Sequence, residues 1–449
     1  MANYGLDPFS KLPSEICVNV LISINNTAMI SQLIQASPVM LAQYCASKMY
    51  IIKKIIDYDE DMMQDAMAIV LFPRVSSPSQ GLIYERPATA VRVHLRKWLK
   101  SQLPDPLKKY DNRLAGKLIS LHSRIMMYLE DYITKATAYF PPREYLCLPD
   151  MKEPWAEAYS TFRGAKVTRR FDSANLTTLE RRRLLKAFLM YYLTSEANFL
   201  AQVPTGIPPR KVSKAQEQAL TCIIKYFRSL YGAIFAQCNH TWLPTISSVT
   251  SSSEPGLLYP DDFYFDGEVY AKGIKFAYYD SPYGYHKFCL GFALLGPDRL
   301  TEFLRHDMSN ANEIRALRDE LKSLWNSDCR QPWNGRELTV GLFFNASDNY
   351  DYKDGCESLM YEMLSPTMEP HTLGGKIACQ RAWVFFDDSR LYPQETTERP
   401  NFPPKDFLES RRNRTRWQRY DHEKQRKMRR LQRWHDGLID EGWDARYLK

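Results

Sequence analysis

Apolar residues recur at helical spacing through most of the first 240 positions. Near the start, Ile16, Val20 and Ile24 stand four apart with Cys17 and Leu21 alongside, which predicts a short helix. Leu12-Pro13 gives it an extended entry, because proline restricts the residue before it. Ser14 is the expected cap, with Glu15 in the first turn. A second short helix, AMISQLIQA, stops before Ser37-Pro38, a cap followed by the proline favoured in a first turn. A third sets Leu41, Tyr44, Ile51, Ile52, Ile55 and Ile56 on one broad face. Three short helices bury too little surface to enclose so many apolar side chains. Part of that surface is therefore expected to meet another part of the chain or another protein.

Further along, Thr177-x-x-Glu180 forms a capping-box pattern before RRRLLKAFLMYYL, where Leu184, Leu185, Phe188, Leu189 and Tyr192 share a face. Leu220, Ile223, Ile224, Phe227, Tyr231, Ile234 and Phe235 then form a stripe wide enough for a core helix. From 257 to 392 the texture changes to aromatic, glycine-punctuated runs such as FYFDGEVYAKGIKFAYY, HKFCLGFALLG, ELTVGLFF and ACQRAWVFFDD. These read as short strands or irregular packed segments, with NEIRALRDELKSLW a helix among them. Breaks rich in Pro, Ser and Gly fall at 74–81, 203–213, 243–256 and 393–404. The expected fold is mostly α. It comprises a three-helix unit at 7–60, a helical domain at 61–242, a mixed α/β region at 257–392 and a long basic helical tail at 405–449.

LPSEICVNVLISI resembles the opening of an F-box, the helical module by which substrate receptors dock on the Skp-type adaptor of cullin–RING ubiquitin ligases. Leu12, Pro13, Glu15, Ile16, Val20, Leu21 and Ile24 match that family's pattern in type and spacing, with Cys17 in place of a leucine. Ala28 stands where an acidic residue is usual, and Ala36-Ser37-Pro38 replaces the usual late Val-Cys-x-x-Trp. The ASP variant, together with LERRRLLKAFLMYYL and RAWVFFDDSRL, is similar to the F-box-like families of filamentous fungi. The resemblance implies an F-box-like first unit whose seven matching residues bind the adaptor. It also implies a cullin scaffold as a further partner and a chain beyond residue 60 that presents a protein substrate. The competing reading is a helical N-terminal piece in which Leu-Pro-x-Glu-Ile is accidental.

Composition adds little to this picture until charge is placed along the chain. With 44% hydrophobic and 25% charged residues the protein is globular in type. No stretch of about 18 uninterrupted apolar residues appears, so no membrane partner is expected. The N-terminus lacks a basic-then-apolar leader. The nine cysteines are an odd count without a CxxC, which reads as reduced thiols in an intracellular protein of the cytoplasm or nucleus.

Residues 405–434 hold 12 Lys/Arg against four Asp/Glu, a net +8 equal to that of the whole chain. The remainder is neutral and carries no general attraction for polyanions. Arg411, Arg412, Arg414, Arg416, Arg419, Arg426, Lys427, Arg429 and Arg430 lie on one expected helix. Trp417, Tyr420, Met428, Leu431 and Leu438 lie near one of its faces. Such a segment suits a nuclear import receptor, nucleic acid or another polyanion, or simply a solvated terminal helix. A chromatin-associated protein is thus the alternative function.

Chemical motifs are mostly absent. Neither GxxxxGK[ST] nor GxGxxG occurs, so nucleotide cradles are unsupported. His422-Glu423 has Arg426 where a zinc ligand would stand. Two calcium-loop alignments, on Gly267 and on Gly355, put Tyr264 and Gly273, or Tyr350, Tyr352 and Tyr361, at ligand positions. His286-x-x-Cys289 and Cys238-Asn239-His240 place thiols near imidazoles, but apolar surroundings make these structural cysteines. The expectation is a non-enzymatic protein with no cofactor and no metal.

Overall fold

The computed structural model describes residues 7–24, 27–73, 85–138, 141–151, 159–198, 209–244, 264–276, 288–327, 344–346 and 373–387. Of the residues described, 69% are helical, with a small antiparallel sheet beside them. Two compact units form. One comprises residues 1–128, 153–157 and 196–207, and the other 129–152, 158–195 and 208–449. The junction between 128 and 129 lies inside one continuous helix, Asn112–Thr137.

The first unit opens with α1 (Ser14–Ile24), α2 (Thr27–Ala36) and α3 (Pro38–Ile56). Helices α1 and α2 both pack on α3 around Cys17, Val18, Leu21, Ile30, Met40, Ile51 and Ile55. Ser37 caps α3 as its sequence predicts, accepting from the Met40 amide at 3.1 Å with Pro38 in the first turn. The start of α1 differs by one residue. The Pro13 carbonyl accepts the Cys17 amide, so Pro13 holds the cap position and Ser14 is already helical. A proline there loses nothing, because a cap residue has no amide bond to make within the helix. Asp7 ties the entry down. Its carboxylate accepts the Ser37 hydroxyl at 2.6 Å and the Phe9 and Val39 amides. The Ser37 hydrogen bond lowers its pKa first, with burial opposing.

Next come α4 (Glu60–Val70), α5 (Glu85–Leu99) and the first part of α6 (Asn112–Thr137). Asp59 caps α4 through the Met62 amide. The α4 and α5 faces meet through two buried polar bonds: Trp98 Nε1 donates to Asp65 at 2.7 Å, and His94 Nε2 lies 2.8 Å from the Ala68 carbonyl. Burial holds the His94 pKa below its ordinary value.

The second unit begins with the rest of α6, followed by α7 (Pro141–Glu144) and a three-stranded antiparallel meander. Its strands are β1 (Leu148–Pro149), β2 (Tyr159–Phe162) and β3 (Ala165–Arg169), with register pairs Leu148–Thr161 and Phe162–Ala165. This sheet lies in a stretch that reads as helix from sequence. Strands of two to five residues are too short to impose a period on the pattern.

Helix α8 (Thr178–Asn198) follows, with its predicted capping box in place. The Glu180 amide donates to Thr177 Oγ1 at 3.1 Å, and the Thr177 amide donates to Glu180 Oε2 at 3.0 Å. The expected linker at 203–213 supplies β4 (Arg210–Val212), paired in parallel with β5 (Phe344–Ala346). Ser213 then caps α9 (Lys214–Cys238) in a second capping box, with Gln216.

Helix α9 is the axis of this unit. Leu220, Ile223, Ile224, Phe227, Tyr231, Ile234 and Phe235 are all buried, as their periodicity requires. Around it pack α10 (Ala271–Ile274), α11 (Phe288–Ala293), α13 (Ala311–Ser327) and α14 (Leu373–Gln380), with α12 (Pro297–Phe303) also in the unit. By length and hydropathy α9 is apolar enough to cross a membrane, yet 83% of that window is buried inside the protein.

Several aromatic runs expected as strands or irregular segments are short helices where described. Residues 267–270 form a 3-10 turn leading into α10, and HKFCLGFALLG contributes α11. Their rings do what strand residues would otherwise do, stacking Tyr231 on Phe292 and Phe276 on Phe288, with Trp325 tilted against Phe288. Burial against α9 overrides the local β preference of aromatic residues. At the crossing of α9 with the 3-10 turn, Gly232 and Gly267 touch backbone to backbone. A methyl on Gly267 would sit 2.6 Å from the Gly232 Cα.

Candidate functional site

Among the described residues, two places carry chemistry or surface beyond simple packing, one in each unit. In the first unit, α1 buries one side and leaves the other in water. Its inner side buries Cys17, Val18 and Leu21 in the three-helix core. Ahead of the helix Leu12 is 40% exposed and Pro13 is exposed; its outer side shows Ile16, 44% exposed, among Ser14, Glu15, Asn19 and Ser23, while Val20 and Ile24 are half-buried against the core. Of the seven residues that match the F-box pattern, Leu12, Pro13, Glu15 and Ile16 are thus exposed. Leu21 departs from the expectation of partial exposure. It is fully buried because it falls one position after Val20, on the face that meets α3. Met29, Leu41 and Tyr50 add further exposed apolar area to the same unit.

In the second unit, a buried polar network joins α6, β2, α9 and α14. Asp131 and Lys135, both at 0% side-chain exposure, form an ion pair at 2.5 Å. Asp131 also accepts the Ser160 hydroxyl at 2.9 Å and the Tyr226 hydroxyl at 2.8 Å, and Lys135 Nζ lies 5.6 Å from the Tyr226 ring centroid. Beside it, Tyr132 donates to the Cys379 carbonyl and Tyr145 to the Gln380 carbonyl, fixing the end of α14. Lys225 Nζ lies 3.4 Å from Cys379 Sγ.

The neighbouring Cys222 side chain draws the Cys379 thiol below its ordinary value, against its burial and with help from the Lys225 charge. Cys222 is driven the opposite way, chiefly by burial and then by the neighbouring Cys379. Neither cysteine stood out in the sequence. The one local signal was Cys222-x-x-Lys225 on a predicted helix, which places both on one face.

The thiols that sequence pairing did single out behave as structural residues. Burial raises Cys238 to about 12 and Cys289 well above its ordinary value. His286 lies outside the described residues. In the loop aligned on Gly267, Asp266 spends its carboxylate capping the 3-10 turn at the Glu268 amide. Among the described residues, no three His, Cys, Asp or Glu side chains gather to hold a metal.

A third cluster joins the two fungal-like stretches. Asp387 pairs with Arg183 and accepts the Thr177 hydroxyl, while its amide donates to Glu180. Those contacts seat residues 381–387 on the start of α8.

The basic residues from Arg411 to Arg430, and the whole region 405–449, lie outside the described residues. No protein-family model, no curated protein and no solved structure matches this chain.

Proposed function

We propose that the chain is a non-enzymatic substrate receptor of a cullin–RING ubiquitin ligase, held to a Skp-type adaptor by the outer side of α1. The observation that carries this reading is the exposed aliphatic pair Leu12 and Ile16 at the start of that helix. A surface helix with one buried side normally turns polar residues outward. Here Leu12 and Ile16 remain exposed beside a three-helix core that is complete without them. Exposed aliphatic side chains of this kind are anchors for a partner, each contributing about 1.5–3 kcal/mol on full burial. The F-box pattern of LPSEICVNVLISI supplies the identity of that partner.

The test is binding of the purified adaptor to the full chain, wild type against the Leu12→Ala/Ile16→Ala double variant. Loss of a central anchor costs about 2 kcal/mol, or roughly thirtyfold in affinity. The double variant should lose at least that much while its melting temperature hardly moves, since both side chains face water. Equal binding by the two proteins, or no binding of adaptor by the wild type at micromolar concentration, would sink the proposal.

The concentration of a net +8 in residues 405–434 favours a separate role for the tail, in nuclear import or polyanion binding. Deleting 405–449 within the same experiment separates the two readings. Adaptor capture should survive, and retention on heparin should disappear. Undiminished heparin retention would remove the tail from the account.

A further inference from the structure

We propose that the outer edge of β3, with Lys166 and Arg169 beside it, is a docking strand for an extended acidic peptide. This rests on the receptor reading only in making that peptide a substrate, and its test needs no adaptor. The meander runs β1-β2-β3, so β3 ends the sheet. The amides and carbonyls of Ala165–Arg169 that turn away from β2 meet no bonding partner among the described residues.

A bulge arranges the charge beside this edge. Ser160 pairs with Thr168 and Thr161 with Lys166, which leaves Val167 as an extra residue on β3. Residues opposite one another across a ladder share a face. Lys166 therefore shares a face with Thr161, and Arg169, opposite Tyr159, shares the same one. Without the bulge their odd spacing would send them to opposite faces. Tyr159 and Thr161 are half-buried while Ser160 and Phe162 are buried, so this is the outward face. Lys166 Nζ stands 5.1 Å from the Tyr159 ring centroid. Both cations are exposed, and neither meets an acidic side chain among the described residues.

These charges select the occupant. Edge-to-edge pairing of two copies would set Lys166 and Arg169 against their own kind, which is destabilising. A phosphate backbone could take the two cations but offers only acceptors, leaving the strand's carbonyls unpaired. A peptide backbone supplies donors and acceptors in alternation, as an added strand requires. Acidic side chains on one face of that strand would lie beside Lys166 and Arg169.

The full chain is titrated, by fluorescence anisotropy, with a labelled decapeptide alternating Glu with Val, and with the same peptide carrying Lys for Glu. The Glu peptide should bind in the micromolar range, and the Lys peptide at least about tenfold more weakly, because its charges face like charges. N-methylation of alternate amides separates backbone pairing from charge. Methylation in one phase should cost about tenfold, and in the other, where the amides turn to water, almost nothing. Lys166→Glu/Arg169→Glu should reverse the preference between the peptides and leave the melting temperature nearly unchanged, since both side chains are exposed. If the adaptor fails to bind while this pattern holds, the receptor reading falls and the docking strand stands. Binding that survives the double variant and ignores both methylation patterns would belong to the basic tail and overturn the proposal. Equal affinity for the two peptides, or no binding at millimolar concentration, would overturn it as well.

Discussion

Replacing Asp131 by alanine should open the second unit far more readily than an ordinary core truncation. The carboxylate accepts three donors, Lys135 at 2.5 Å, Tyr226 at 2.8 Å and Ser160 at 2.9 Å, and both members of the ion pair are fully buried. Its removal strands an ammonium and two hydroxyls away from water. Breaking a buried pair from one side costs about 3–5 kcal/mol, and each abandoned hydroxyl adds about 1–3 kcal/mol when it finds no other partner. Relaxation recovers part of this, so a loss of at least about 3 kcal/mol is expected, near 150-fold in the opening equilibrium.

The Lys135→Met variant should cost less, because the remaining carboxylate keeps two hydroxyl donors. The double variant Asp131→Asn/Lys135→Met should cost less again than Asp131→Ala, since it buries no net charge and replaces the pair by groups of similar volume. The two units need not unfold together, so a single melting curve is a poor readout. Hydrogen exchange at the slow amides of β2 and α9 measures opening where the pair acts. The reasoning fails if Asp131→Ala costs under about 1 kcal/mol there. It fails equally if the double variant costs as much as the two single changes added together.

Gly267→Ala should destabilise by about 3 kcal/mol, at the upper end for overpacking, because the obstacle at 2.6 Å is the Gly232 Cα and not a movable side chain. Gly116→Ala, where a methyl meets nothing within 4 Å, should instead stabilise α6 by about 0.5–1 kcal/mol, and denaturant midpoints compare the two. Glu130 gives a pH signature. Burial raises its carboxyl above the ordinary 4.5 despite the opposing Arg170 charge and the Ser173 hydrogen bond. With the folded-state pKa raised, its contribution is complete below the unfolded value and is lost as pH rises through the folded one. The melting temperature of Glu130→Gln relative to wild type should therefore climb as pH rises from about 4.5, then level off. A difference that stays constant with pH would show that the carboxyl is not shifted.

Local physics was legible in the amino-acid sequence, and distant contacts were not. The caps at Ser37 and Thr177, the buried stripe of α9 and the helix at 311–327 depend on residues three or four apart, so their signals are written in adjacent letters. The two-sided character of α1 was half legible. Its apolar residues could be counted, but only packing on α3 decided that Cys17, Val18 and Leu21 turn inward while Leu12 and Ile16 stay in water. The meander at 148–169 escaped notice because its strands are too short to set a period. The aromatic segments at 264–276 and 288–293 became helical turns because burial on α9 outweighed strand preference. Both stretches that meet at Asp387 were conspicuous by themselves, yet nothing local says that Arg183 and Asp387 pair across 204 positions. The same holds for Lys225 and Cys379, which are 154 positions apart. A thiol's surroundings are set by the groups packed on it, and here the lysine arrives from a different helix. Tertiary packing alone chose which cysteine would receive it.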